Sequence, residues 1–263
     1  MTMRTGFDPT RRNRNQGTRA RGHGESNRME IPNRGASAWW EFVGPCSVEE
    51  LAIHGKSATF IVEQPHPDFR HYCSNDDVRK VLEMLPPLDL EELNTFVFRQ
   101  PTQKQQMLSP NWGRLSCSAE LTLNGGPPRI FGPTIFLEAQ PIEANFLWSK
   151  NLSLGAQAEL VRLREDGHRI EEMRREWRII SGDTAIRNTQ LFRTLLHEVG
   201  HWVDHLEKVE RPSRSHPEDY GTLSDRYFAR PSSEREAYAH RYATETAMRL
   251  RSEGLIPFPP ESA

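Results

Sequence analysis

In LLHEVGHWVDHLEK, residues 195–208, His197 and His201 stand four positions apart, and Glu198 directly follows the first. Imidazole nitrogens and carboxylates are donors that zinc accepts, and a carboxylate beside the ligands can act as base toward water on the ion. On an α-helix, residues four apart are rotated by only ~40° and displaced by ~6 Å along the axis, so both rings can reach one ion. Ten histidines and 36 acidic residues placed at random in 263 positions would give such a triad only about 0.05 times. The spacing therefore predicts a Zn2+ site with His197 and His201 as ligands and Glu198 as general base.

A catalytic zinc needs a third protein ligand and one open position. His205 lies eight residues past His197, about 12 Å further along the same axis, too far to share the ion. The metzincin pattern requires a glycine where Asp204 stands and a histidine where Glu207 stands. Carboxylates remain in SSEREAYAHRYATETAMRL, residues 232–250: Glu236, which follows His201 by 35 positions, with Glu234 and Glu245 as competitors. Ser233 and Glu236 also fit a helix capping box, which would turn that carboxylate toward a backbone N–H. The residue chemistry by itself leaves the choice open.

The pair HEVGHWVDH and SEREAYAHRYA resembles the metal-binding helix and the downstream glutamate helix of gluzincin metallopeptidases, most closely the group that includes the catalytic domain of anthrax lethal factor. The likeness covers about 60 residues in motif and the rest of 75–255 only in element order. It implies that Glu236 is the third ligand, with Tyr238, Ala239 and Tyr242 in register with the aromatic and alanine-rich stretch behind it. His240 stands where the family usually has an acid, and Ala229 occupies the place of the family's assisting tyrosine. Tyr227 is near enough to take that tyrosine's part, and Asp204 could orient a ligand histidine.

These residues require helices to carry them. Apolar positions Phe192, Leu195, Leu196, Val199, Trp202, Val203 and Leu206 form one face of a helix over about 188–209, with Pro212 just beyond it, and a second helix runs over 232–252. A short helix over 75–87, strands at 95–100, 114–123 and 134–139, and a charged helix over 156–178 with a possible break at Gly167 precede them. The order predicts an α+β fold of the minimal gluzincin or zincin-like kind: a short antiparallel sheet followed by zinc-binding helices. It divides the chain into a basic tail over 1–37, a small lead-in segment over 38–74, the peptidase domain over 75–255 and a C-terminal tail over 256–263. Residues 134–139 are the expected edge strand for a substrate peptide.

Residues 1–37 hold eight arginines against three acids, a local charge of +5 that leaves −7 for the remainder of the formal −2. With almost no apolar residues, that segment is expected to be disordered and solvated, and without interleaved aromatics it does not read as a nucleic-acid surface. Cys46, Cys73 and Cys117 are an odd, widely spaced set, the pattern of reduced thiols in a reducing compartment. Neither a secretory signal nor an apolar run near ~20 residues is present, so a cytoplasmic chain without membrane insertion is expected. The expected activity is hydrolysis of protein or peptide substrates, at internal bonds more than at chain ends. The alternatives are a catalytically silent binding module of the same fold, or a proteolytic effector acting on another cell's proteins.

Overall fold

In TFVFR and TIFLE, apolar side chains occupy consecutive positions, which a strand can accommodate only when both faces are covered. In the computed structural model of the chain, which describes residues 41–102, 112–123, 130–142 and 145–260, these segments are central strands. The six-stranded sheet comprises β1 (Phe42–Val43), β2 (Cys46–Ile53), β3 (Lys56–Glu63), β5 (Thr95–Arg99), β6 (Gly113–Leu123) and β7 (Ile130–Glu138). Their order is β1-β6-β7-β5-β3-β2. β4 (Phe69–Arg70) and β8 (Gln140–Pro141) form a separate pair. The fold is α+β in its broad class. The expected tail, residues 1–37, lies outside the described residues.

The sheet is mixed where an antiparallel one was expected: β3, β5 and β7 run parallel to one another, β2 runs antiparallel to β3, and β6 runs antiparallel to β7 and parallel to β1. The parallel step from β3 to β5 is made possible by an intervening helix, α1 (Asn75–Glu83), which carries the chain back to the starting end of the sheet. Residues 46–63, expected as part of a lead-in, thus contribute two strands to the central sheet, and no domain boundary falls at 75. One face places Phe60, Phe96, Phe98, Ile135 and Leu137 against the helices. The other buries Ile61, Val97 and Phe136 in a second cluster. Strand β7 lies between β6 and β5, so 134–138 is interior and cannot be the substrate-pairing edge.

The expected helix over 156–178 ends as α2 (Leu154–Glu165), because Gly167 turns the chain at a φ of 103°. The next residues form a hairpin, β10 (Arg169–Glu172) and β11 (Glu176–Ile180), which pairs with β9 (Asn145–Ser149). Alternation decides it: Ile170, Trp177 and Ile179 pack against Leu160 and Leu163 of α2.

From 183 to 213 the chain is helical without a break: α3 (Asp183–Thr189), a widened π turn (Gln190–Thr194), α4 (Leu195–His205), a second π turn (Leu206–Glu210) and a last turn (Arg211–Ser213). Pro212 therefore sits inside the helical run. Two helices follow, α5 (Tyr220–Ala229), which the sequence analysis does not anticipate, and α6 (Ser232–Ser252), which has the expected bounds. No helix among the described residues is long and apolar enough to cross a membrane.

Long-range polar contacts lock these parts together. Ser74 caps α1 by accepting from the Asp77 amide, while Asp77 takes a two-point bond from Arg187 at 2.5 and 3.0 Å. Both partners are buried, so each would leave a costly uncompensated charge without the other. Arg187 also donates to the Phe258 carbonyl at 2.9 Å. With Ile256 and Phe258 in the main core, residues 256–260 are part of the packed body and not the free tail expected.

Beside this framework His168 is 3% exposed, with Ser181 Oγ 2.7 Å from Nδ1 and Thr189 Oγ1 2.9 Å from Nε2. Thr189 spends its proton on Asp166, so His168 donates through Nε2 and is satisfied as the neutral ring. Burial lowers its pKa to about 4, against the pull of Asp166 and Glu159 and with the help of Arg193. Above pH 6.5 the ring is neutral folded or unfolded. As pH falls from there toward 4 the unfolded chain takes up the proton first, and stability drops. The denaturant midpoint should therefore fall between pH 7 and 4.5, and His168→Asn should shallow that fall; an unchanged pH dependence in the variant would exclude this role.

Candidate functional site

The helix α4 buries Leu195, Leu196, Val199, Trp202 and Val203 against the sheet and α6, with Trp202 Nε1 donating to the Glu91 carbonyl at 3.0 Å. This fixes the helix rotation and turns His197 and His201 to the opposite edge, toward a cleft of about 380 Å³. Gly200, one position before His201, is where α6 crosses. A Cβ there would stand 3.0 Å from the Ala239 Cα and carbonyl oxygen and 3.0 Å from the Tyr242 Cβ. The missing side chain lets the backbones approach, and Ala239, Ala243 and Ala247 keep the contact narrow along α6.

That approach brings Glu236, in the first full turn of α6, over the two histidines. Its carboxylate oxygens lie 3.2 Å from His197 Nε2 and 3.5 Å from His201 Nε2. One donor atom from each of the three residues falls within 4.8 Å of the others, which makes this a group able to hold a metal ion. Hydrogen bonds from His197 and then His201 hold the Glu236 carboxyl far below its ordinary range. The expected competitors Glu234 and Glu245 are not in the group: Glu234 pairs with Arg230 at 3.4 Å. No side-chain cap holds the start of α6, so the capping-box alternative for Ser233 and Glu236 is not realised.

Glu198 lines the same cleft, 7% exposed, and accepts a backbone hydrogen bond from Leu115 of β6. Burial raises its pKa, opposed by His197 and His201. Tyr227, on α5, is 4% exposed and also lines the cleft; burial pushes its hydroxyl up to about 12. That hydroxyl makes no hydrogen bond to any described residue. Residues 113–115 of β6 form the opposite wall. β6 pairs with β7 on one side, but on the other β1 covers only Thr122 and Leu123, so among the described strands the edge beside the histidines is open.

Other expectations fare differently. Asp204 does not orient a histidine: it is fully buried between Lys208 and Arg230, the latter at 3.0 Å. His205 is outside the group, stacked on Trp202 with ring centroids 5.7 Å apart and met edge-on by Tyr227 at 5.1 Å. His240, four residues after Glu236, covers the His197 ring at 4.4 Å. The sequence reading missed Leu115, Phe228 and Arg235 as cleft residues. For Arg235 a signal existed, an arginine directly before the chosen glutamate. For Leu115 none did, since its amide carries no side-chain label. Searched against family models, curated proteins and solved structures, the chain matches none.

Because α4 and α6 meet with no room at Gly200, Gly200→Val should cost about 1–3 kcal/mol from forced separation of the two backbones. A denaturation midpoint equal to wild type would show that α6 can move aside freely.

Proposed function

We propose that the chain is a zinc-dependent peptidase of the gluzincin kind, with His197, His201 and Glu236 as ligands and β6, α4 and α6 as its minimal zincin-like core. The observation that carries this reading is the spacing of the donors. Bond lengths of about 2.0–2.2 Å in a tetrahedral site put neighbouring donor atoms about 3.4 Å apart; here one Glu236 oxygen lies 3.2 Å from His197 Nε2, the other lies 3.5 Å from His201 Nε2, and one donor atom from each of the three residues falls within 4.8 Å of the others. Two imidazoles and one carboxylate are also the donor set of a hydrolytic site, one that leaves a position for water.

A zinc ion at these three residues would supply Lewis acidity toward a peptide carbonyl and lower the pKa of bound water. The chain supplies the rest. Glu198, adjacent to the ligands and not among them, takes the proton of the attacking water and delivers it to the departing amine. The Leu115 amide holds that carboxylate in place. The free hydroxyl of Tyr227 is the donor for negative charge developing on the carbonyl oxygen. An extended peptide pairs with the open edge of β6, which takes over the role expected of 134–139. Its backbone then crosses the ligand group, and internal peptide bonds are the expected point of attack.

Purified protein should carry about one zinc per chain, removable by chelator, and His197→Ala should abolish retention. Glu198→Gln should keep metal and fold while lowering peptide cleavage by about 10²-fold or more, since an amide fills the space but cannot take a proton. Glu236→Gln should weaken zinc retention and cleavage together. Metal analysis and library cleavage on the same samples check all three. Zinc held with no cleavage of any pool would turn the reading to a binding module, and wild-type rates in Glu198→Gln would remove the mechanism.

A further inference from the structure

Arg235 is a charged cleft-lining residue that neither the ligand group nor the proposed chemistry uses. It is half-buried in the first turn of α6, one position before Glu236. Nη1 donates to the carbonyl oxygens of Phe228 at 3.1 Å and Tyr227 at 3.4 Å, at the C-terminal end of α5. The guanidinium also lies 5.5 Å from the Phe228 ring centroid and 5.7 Å from that of Tyr227. Two carbonyls and two aromatic rings thus hold it in one orientation.

What it lacks is an anion. No carboxylate among the described residues pairs with Arg235, whereas two other arginines near the cleft are committed: Arg230 to Asp204 and Glu234, and Arg114 to Glu138 at 2.9 Å. Of the carboxylates in the cleft, Glu236 faces the histidines and Glu198 accepts from Leu115. The Nε and Nη2 groups of Arg235 donate to no described residue, and the side chain as a whole is half-buried. A planar fork of donors, fixed and only partly hydrated, matches a carboxylate better than any other peptide group.

We propose that Arg235 is a specificity residue that binds a carboxylate of the substrate, so that the cleft selects peptides with an acidic group beside the scissile bond. This rests on the peptidase reading of the same cleft. The carboxylate can belong to a glutamate or aspartate side chain or to a free C-terminus, and in both cases the contact is a two-point bond to Nε and Nη2. Phe228, 53% exposed at the same wall, offers apolar area to the stem of such a residue.

The test uses zinc-loaded full-length protein and positional peptide libraries, acetylated at the N-terminus, with Glu or Gln at each position and either an amidated or a free C-terminus. Wild type is expected to favour one carboxylate form by about 10-fold or more, chiefly in KM. Arg235→Gln should bring that ratio near one, and Arg235→Lys should restore part of it. Preference for internal Glu in amidated peptides assigns the side chain; preference for the free terminus assigns the chain end. A purely structural Arg235, capping α5, would lower stability in the variants and leave the Glu-to-Gln ratio intact, which would overturn the proposal, as would a wild type without preference. If no peptide is cleaved, calorimetric binding of the same pairs decides: carboxylate preference lost in Arg235→Gln keeps the assignment while the hydrolytic reading falls, and binding without preference ends both.

Discussion

The site depends on a backbone contact at Gly200, where α4 and α6 approach with no side chain between them. His197 and His201 are bound to one face by helix geometry, but Glu236 belongs to another helix and reaches them only if the two axes lie close and in register. The alanines at 239, 243 and 247 make the same demand along α6, each of them nearly or fully buried. A larger side chain at this crossing would move the Glu236 carboxylate away from the two histidines. Close packing of small residues here does more to place Glu236 than to build the core, since it supplies little apolar area.

Charge is distributed in the same spirit. The carboxylates that hold the structure together are each spent on arginine or lysine: Asp77 on Arg187, Asp204 on Lys208 and Arg230, Glu138 on Arg114. Removing either member of such a buried pair leaves a stranded charge, so these groups are not free to take part in chemistry. In the cleft the arrangement differs. Glu198 is buried with no cationic side chain other than the neighbouring histidines to offset it, which is why its pKa rises. Tyr227 and Arg235 line the same cleft, and neither is ion-paired to a carboxylate among the described residues. The α5 helix, held by the Arg235 bonds to its last carbonyls, forms the wall that brings these groups to the edge of α4 that carries His197 and His201.

The amino-acid sequence alone carried the helices of the site and the pairing of His197, Glu198 and His201, because a 3.6-residue period and a four-residue spacing are local and need no partner to be read. It also carried the positions of β5, β6 and β7, where apolar runs stand between turn residues. Glu236 was within reach only through a resemblance, since three carboxylates in one helix look alike until a neighbouring helix selects the one that faces it. Strand direction, the interior place of β7, the inclusion of 46–63 in the sheet and the burial of Phe258 were decided by tertiary structure. Each is a choice of partner between segments distant in the chain, and residues 168–180 show how that choice overrides local charge: read alone they continue a polar helix, but Ile170, Trp177 and Ile179 gain a buried face only as a hairpin. The open edge of β6 was equally invisible, because an unpaired backbone has no side-chain signature and is defined by which strands do not lie beside it.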